Sequence, residues 1–499
     1  MKNRIFSTVI TALAGAGIAM AQSTGSSFAD FRKGLLEGYN SYRNGVLERY
    51  DQFLDGVWSD FEQFKGEESN PVPKPEKVPT VGDTPLPVPS PAQEPVAQQP
   101  KPKPQPKPQP APAQPKPQQV QPKPQPAPSS MPTPAGNYDF SFYELPVSIP
   151  AIDVHVTNRL SSPRDFGAQW REFAGNDNAR RLIEELTSAA DKMSLNDYLR
   201  YELVSAYVDS KYSSSPVTSR MALKHFLLVG MGYNVRIGLS GSNAVLLIPF
   251  KQTVYARTYM MADGKKFYIF TDKSVDPQAI LSMRISTCEL PKNADTGNSM
   301  DLRLSGLNLP YKSHKYDLKF KDLTLTGEVN ANIFPILYHY PQMPTADFAR
   351  STVLADVREN IVNQFKTQLA GKDELEAVNS ILQFVQGAFE YATDDAFHGF
   401  EKPYFLEEIL YYPKCDCEDR AIFYTYLLWN VLGLENQLIN FPGHESASVR
   451  LSQPIKGDAY VHDGCTYYIS DPTYIGSVTG MCMPSYAREN PGIDYTYKK

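Results

Sequence analysis

The chain has 499 residues and a formal net charge of −6, with 41% apolar, 12% aromatic and 21% charged residues. That length has room for about three ordinary domains. There is no basic cluster and no interleaving of basic with aromatic residues, which argues against a nucleic-acid partner.

Met1-Lys-Asn-Arg4, the apolar stretch Ile5–Ala21 and the ending Ala19-Met-Ala21 read as a secretory signal peptide over 1–21, cut before Gln22. The stretch is short and rich in Gly and Ala, so an uncleaved anchor is the weaker alternative. No Cys follows the cleavage site, so lipid anchoring has no support. The expectation is an exported protein of the periplasm or cell envelope, in an oxidising compartment. Five cysteines are an odd number, compatible with one functional thiol and up to two bridges.

Residues 22–66 are expected to hold an amphipathic helix. Between Phe28 and Phe64 the apolar positions step by 3, 4, 4 in an 11-residue repeat, which keeps one stripe on a nearly straight helix. The glycines at 34, 38, 45 and 56 weaken it by roughly 1 kcal/mol each, so it needs something to pack against. The stripe implies self-association or docking on an envelope protein; packing back onto the chain's own domains is the alternative. Residues 67–136 form a Pro-rich linker, with 24 of the 42 prolines between Pro71 and Pro134. As extended polyproline II at about 3.1 Å per residue it would reach about 200 Å and bury no core.

From Tyr138 the composition becomes globular. Over 137–275 an apolar helix ending near Gly232 leads to a strand-like Val-Leu-Leu-Ile and then to a hairpin, Ala262-Asp-Gly-Lys265, that ends in Asp272. About 200 residues later the same order returns: an apolar helix stopping at Gly433, then Asp463-Gly-Cys-Thr-Tyr-Tyr-Ile-Ser-Asp471. This reads as an internal duplication. The first copy has no Cys at its helix start, and Ser242 and Asn243 stand near where His444 aligns. His225, inside the helix, reads as a packed histidine. Between the copies, 276–345 is a β connecting element, with a half-buried strand pair over Tyr316–Val329. Val353–Leu369 and Glu374–Tyr391 follow as helices on a 3.6-residue period. Gln386, Asp394, Asp395 and His398, just ahead of the second copy, are candidate substrate contacts on a polar-aromatic loop, or solvated surface residues.

The region 346–499 carries the chemistry. Lys414-Cys-Asp-Cys-Glu-Asp-Arg-Ala421 leads into the buried helix, then come Pro442-Gly-His444 and Asp471-Pro-Thr473. A thiol needs a base to become a thiolate, and the base needs a third group to fix its tautomer. Cys417, His444 and Asp471 supply these in order. A helix start favours a thiolate and holds N–H groups for an oxyanion.

These residues resemble the transglutaminase-like cysteine hydrolase superfamily, in its bacterial transglutaminase-like form, over roughly the last 150 residues. The resemblance implies an α+β fold with a papain-like, transglutaminase-core catalytic domain at 346–499 and a degenerate copy of it at 137–275. It also implies Cys417 as nucleophile, His444 as general base and Asp471 as orienting acid. Two positions depart from the family pattern. Cys415 stands where a small residue is usual, and Glu445 and Ser446 follow the His where an aromatic is common. A Cys415–Cys417 bridge would be strained, so Cys415 is expected to pair elsewhere or stay buried.

Other readings exist. Cys415, Cys417, His444, His462, Cys465 and Cys482 could include a zinc set, but they are scattered and show no second C-x-x-C pair. His462, before the Asp463-Gly464 turn, is the rival base. The expected activity is thiol-dependent acyl transfer or hydrolysis at peptide or protein amide bonds, with no cofactor and no metal. The alternative is a non-catalytic envelope-binding module with a relic triad.

Overall fold

The computed structural model describes residues 58–60, 63–68, 80–81, 136–240, 243–275, 285–288 and 297–498. The chain is a mixed α+β structure. It enters through the hairpin β3 (Asn137–Phe142) and β4 (Leu145–Pro150), whose turn residues Tyr143 and Glu144 have φ of 48° and 66°. Four helices follow: α1 (Pro163–Gly175), α2 (Asp177–Lys192), α3 (Asp197–Lys211) and α4 (Val217–Gly230). The first three start where a side chain can accept a first-turn N–H: Ser162 from Asp165, Asn176 from Asn178 and Asn196 from Leu199. The fourth starts at Pro216, is apolar on most sides and is buried along most of its length.

A seven-stranded sheet is built from β1 (Trp58–Asp60), β2 (Gln63–Phe64), β5 (Arg236–Ser240), β6 (Asn243–Pro249), β7 (Tyr259–Ala262), β8 (Lys265–Phe270) and β9 (Ser286–Cys288), in the order β1-β9-β5-β6-β8-β7-β2. The C-terminal half has a short parallel pair, β12 (Glu390–Tyr391) and β13 (Lys414–Cys415), and a five-stranded sheet that follows the helix α10 (Cys417–Leu432). Its strands are β14 (Asn436–Phe441), β15 (His444–Val449), β16 (Ala459–His462), β17 (Cys465–Ile469) and β18 (Gly492–Tyr497), in the order β16-β17-β15-β14-β18.

The order of helix, strands and hairpin read in the sequence recurs in the two sheets. In both halves an apolar helix precedes strands whose spatial order, from the last strand inward, is the same: β9-β5-β6-β8-β7 in one, β18-β14-β15-β17-β16 in the other. Both closing hairpins turn on Asp-Gly with positive φ at each residue, 49° and 71° at Asp263-Gly264 and 49° and 74° at Asp463-Gly464. Those angles are the type I′ geometry that suits the twist of a two-residue hairpin. Val217 opens α4 where Cys417 opens α10, and Asn243 opens β6 where His444 opens β15. Asp272 and Asp471 each lie two residues past the end of their strand.

The strand pair expected at Tyr316–Val329 is the hairpin β10 (Ser313–Phe320) and β11 (Leu323–Asn330), in register over all eight pairs. It packs on α7 (Ala355–Gln368) and α8 (Glu374–Ala388), the two helices expected there. A buried ion pair ties α7 to the turn before Cys417. Glu407 accepts from Arg358 Nε at 2.6 Å and from the N–H groups of Val353 and Leu354 at 3.1 Å.

Two expectations are corrected. The helix expected up to Phe64 does not reach that far: Trp58–Asp60 and Gln63–Phe64 are strands, paired with Ser286–Cys288 and with Tyr259 and Met260. The unpaired edges of β9 and β7 offer ladder hydrogen bonds that a glycine-weakened helix end cannot match. The remainder of that helix, 22–57, lies outside the described residues. The boundary at 275 is also too early, because β9 belongs to the first sheet. Within the expected linker, Glu67 bridges to Tyr255 and Thr80 to Ile475, so its described residues touch both halves. Among the described residues no helix is long and apolar enough to cross a membrane.

His225 is the packed histidine expected inside α4. Its Nε2 lies 3.1 Å from the Val235 carbonyl, and burial pushes its imidazole down to about 4. In the unfolded chain it titrates near 6.5, so between those values only the unfolded state takes up the proton. Its contribution to stability is therefore complete above about pH 6.5 and is lost as the pH falls toward 4, a change of roughly 3 kcal/mol. His225→Gln should flatten the fall in Tm between pH 7 and pH 4; identical slopes for variant and wild type would remove His225 from that dependence.

Candidate active site

Helix α10 sits in the core against β14, β15, α7 and α8. It starts because Asp419 turns back to accept the Asp416 N–H at 3.2 Å, and it stops at Gly433, whose φ of 68° is the left-handed cap that glycine adopts freely. Asp419 also accepts the Tyr404 N–H at 2.9 Å, which fixes the preceding loop to the helix start. Arg420 is buried and donates to the carbonyls of Phe389 at 2.8 Å and Gln386 at 3.3 Å, joining α10 to the end of α8. Cys417, in the first turn, is fully buried. Its Sγ lies 3.4 Å from Glu418 Oε2, so a carboxylate accepts the resting thiol.

His444 and Asp471 come from adjacent strands. β15 pairs with β17 through Ser448↔Ile469, and the ladder continues with Ser470 N–H donating to the Ala447 carbonyl at 2.9 Å. Continued one step, that register sets Asp471 opposite Ser446, so Asp471 and His444 are diagonal neighbours on one face. His444 Nε2 lies 2.8 Å from Asp471 Oδ2, with both groups buried. The other oxygen, Oδ1, accepts the N–H groups of Thr473 at 2.8 Å and Tyr474 at 3.3 Å. Among the described residues the second ring nitrogen, Nδ1, has no hydrogen-bond partner. Tyr424 on α10 meets Ser470 at 2.6 Å, which holds the nucleophile's helix to the end of the acid's strand.

Two further residues complete the site. Gln386 was one of the candidate substrate contacts; instead it is buried and clasps the turn after Asp471. Its Nε2 donates to the carbonyls of Asp471 at 3.1 Å and Tyr474 at 2.9 Å, and its Oε1 accepts the Gly476 N–H at 3.1 Å. Tyr486 is a residue the sequence reading missed. Its ring stacks on His444 at 5.5 Å and 9°, and on Phe441 at 4.9 Å. Burial first, then the neighbouring Cys417 and Asp471, push its phenol above the usual range, so it lies close to both. Tyr486 lies in an irregular stretch with no periodicity to mark it.

The loop candidates divide. Asp394 is buried, and its carboxylate accepts the Lys402 N–H at 2.5 Å, so it supports the loop beside the helix start. His398 is half-buried among aromatic rings with Nε2 2.6 Å from the Tyr404 hydroxyl, and burial lowers its pKa. Asp395 is exposed. His462 sits at the hairpin end, 38% exposed and 3.6 Å from Asp463. Cys415 stays a buried free thiol, pushed up to about 12 by burial. Among the described residues, the side chains close enough to share a cation are Asp394 with Asp416 and Asp419, and Asp394 with Glu401 and Glu418. None of the six thiol and imidazole candidates for zinc joins them. A depression of about 720 Å³ at the other end of α10, lined by Arg350, Lys366, Trp429 and Tyr495 among others, includes none of the triad.

The thiol's neighbour generates a prediction. A carboxylate 3.4 Å from sulfur in a buried site opposes a second negative charge there. Glu418→Gln keeps the shape and removes that charge, so alkylation of Cys417 by iodoacetamide at pH 7 should accelerate on the order of tenfold. An unchanged rate would remove Glu418 from the thiol's chemistry. Comparison with models of protein families, with curated proteins and with solved structures finds no match to this chain.

Proposed function

We propose that the chain is an exported thiol-dependent acyl transferase or hydrolase that acts on amide bonds of peptides or proteins through Cys417, His444 and Asp471. The observation that carries this reading is the division of labour on one imidazole. Nε2 is committed to Asp471, while Nδ1 is unpartnered in a buried site whose covering tyrosine is also within reach of Cys417. In this reading Asp471 holds the tautomer with the proton on Nε2, and Nδ1 takes the proton from the Cys417 thiol. The thiolate attacks the amide carbonyl, the tetrahedral oxygen is stabilised at the N-terminus of α10, and the imidazolium returns its proton to the leaving amine. A thioester on Cys417 remains. Water as acceptor gives hydrolysis, and an amine gives a crosslink.

The resemblance to transglutaminase-like hydrolases implies a papain-like core for 346–499, and the shared topology of the two halves supports a degenerate copy in the first. That copy has Val217 and Asn243 where the thiol and imidazole stand, so the proposed activity belongs to the second half alone. The segment before Trp58 is proposed to self-associate or to dock on an envelope protein. A second reading, a non-catalytic envelope module with a relic triad, draws on one observation: Cys417, His444 and Asp471 are all buried.

Alkylation separates the two. Under reducing conditions Cys417 should be the fastest-reacting thiol, ahead of Cys288. Cys417→Ala should abolish turnover of a small amide substrate without lowering Tm appreciably. His444→Ala should slow alkylation at neutral pH by at least about tenfold, whereas His462→Ala should not. Equal rates at Cys417 and Cys288, unchanged in His444→Ala, would favour the relic.

A further inference from the structure

Thr80 and Val81, nearly 400 positions before the acid of the triad, lie against the turn that follows it. Thr80 forms a parallel bridge with Ile475, and the Val81 N–H donates to the Ile475 carbonyl at 3.0 Å. The Val81 side chain is buried in a small apolar cluster with Tyr474 and Met483, flanked by Met481 and Tyr486. Tyr486 is the ring that stacks on His444, and Tyr474 donates its N–H to Asp471, so the seat of Val81 shares two walls with the triad. Gly476 borders it: a Cβ there would come 3.8 Å from the Cβ of Val81, and its φ of 83° favours glycine.

A main-chain hydrogen bond at a strand-like edge combined with a pocket for one side chain is how extended peptides are recognised. We infer that the strip Tyr474–Gly476, with Met483 and Tyr486, is a peptide subsite that takes an extended segment through a small aliphatic side chain, and that Thr80-Val81 fills it in cis. This rests on the proposed amide chemistry only for its purpose; the binding itself needs no reactive thiol. Ile475 supplies the backbone acceptor and the Met and Tyr side chains supply the apolar pocket. Exclusion of charge at the anchoring position follows, because the cluster offers nothing to solvate it. A segment tethered in the same chain meets the site at an effective concentration of about millimolar, so a free peptide at micromolar concentration does not displace it.

The test uses the full-length chain carrying Cys417→Ala, with and without Val81→Asp, and a fluorescent octapeptide of the sequence Lys77 to Thr84. Anisotropy should show the octapeptide binding the Val81→Asp protein at least about tenfold more tightly than the parent, and the same peptide with Asp for Val should not bind. Val81→Gly gives a second emptied site should the Asp variant lose stability. With Cys417 intact, Val81→Asp should also raise the alkylation rate at Cys417. Equal binding to parent and emptied proteins, or binding that ignores the Val-to-Asp change in the peptide, would overturn the subsite. An alkylation rate at Cys417 that His444→Ala leaves unchanged, with peptide binding intact, would instead count against the triad, so the two failures are distinct.

Discussion

The Asp471 carboxylate does three jobs with two oxygens, and the arrangement of the site follows from that. One oxygen holds His444 Nε2, while the other accepts two consecutive N–H groups and bends the chain into the turn at Thr473 and Tyr474. The bend sends the chain past Gln386, whose amide takes carbonyls and an N–H from the same turn. Orientation of the imidazole and position of the Ile475 carbonyl are therefore coupled. A carboxylate that fixes the tautomer of the base also fixes the strip where a peptide backbone bonds.

The first half of the chain runs the comparison in reverse. Asp272 occupies the equivalent place after its strand, but it faces Arg220 at 2.8 Å and 3.2 Å, with Lys224 3.8 Å away. Burial would push Asp272 up, and the hydrogen bonds from Arg220 and Ser274 outweigh it, so the carboxyl stays below its usual range. A guanidinium is a permanent cation with no basic nitrogen to leave open. The first half thus has a structural ion pair where the second half has an imidazole on its carboxylate. Arg420, at the matching place in α10, turns to backbone carbonyls instead and leaves Asp471 to the histidine.

Much of this was legible because the reactive residues stand at ends of elements, where sequence punctuation is strongest. Cys417 follows the turn that Asp416 and Asp419 cap, His444 follows Gly443 with its φ of 80°, and Asp471 follows a strand opened by an Asp-Gly turn. The two-fold order of helix, strands and hairpin was readable for the same reason. Tyr486 and the clasp of Gln386 were not, because both depend on the path of an irregular segment packed at long range. The aromatic stripe ahead of Phe64 reads as a helix on spacing alone, and only the open edges of β9 and β7 explain why its end is strand. The docking of Val81 spans almost the whole chain, and no local pattern reports it.

Full burial of the triad and an occupied strip beside it are two sides of one constraint. A dry site strengthens every electrostatic contact made to the reacting atoms, but a substrate must first reach the sulfur. Helix α10 and strand β15 are pinned by buried hydrogen bonds and core packing, whereas Tyr486 is held by ring stacking and an apolar neighbourhood that includes Val81. Burying one Val side chain is worth roughly 1.5–3 kcal/mol, and a substrate side chain of similar size regains the same amount. Exchange of one for the other is nearly neutral in contacts, so the balance lies with the tether and with the remainder of the substrate. On the proposed reading, a polypeptide with an extended aliphatic segment beside its target amide displaces the internal segment, and so turns over faster than a small amide that lacks one.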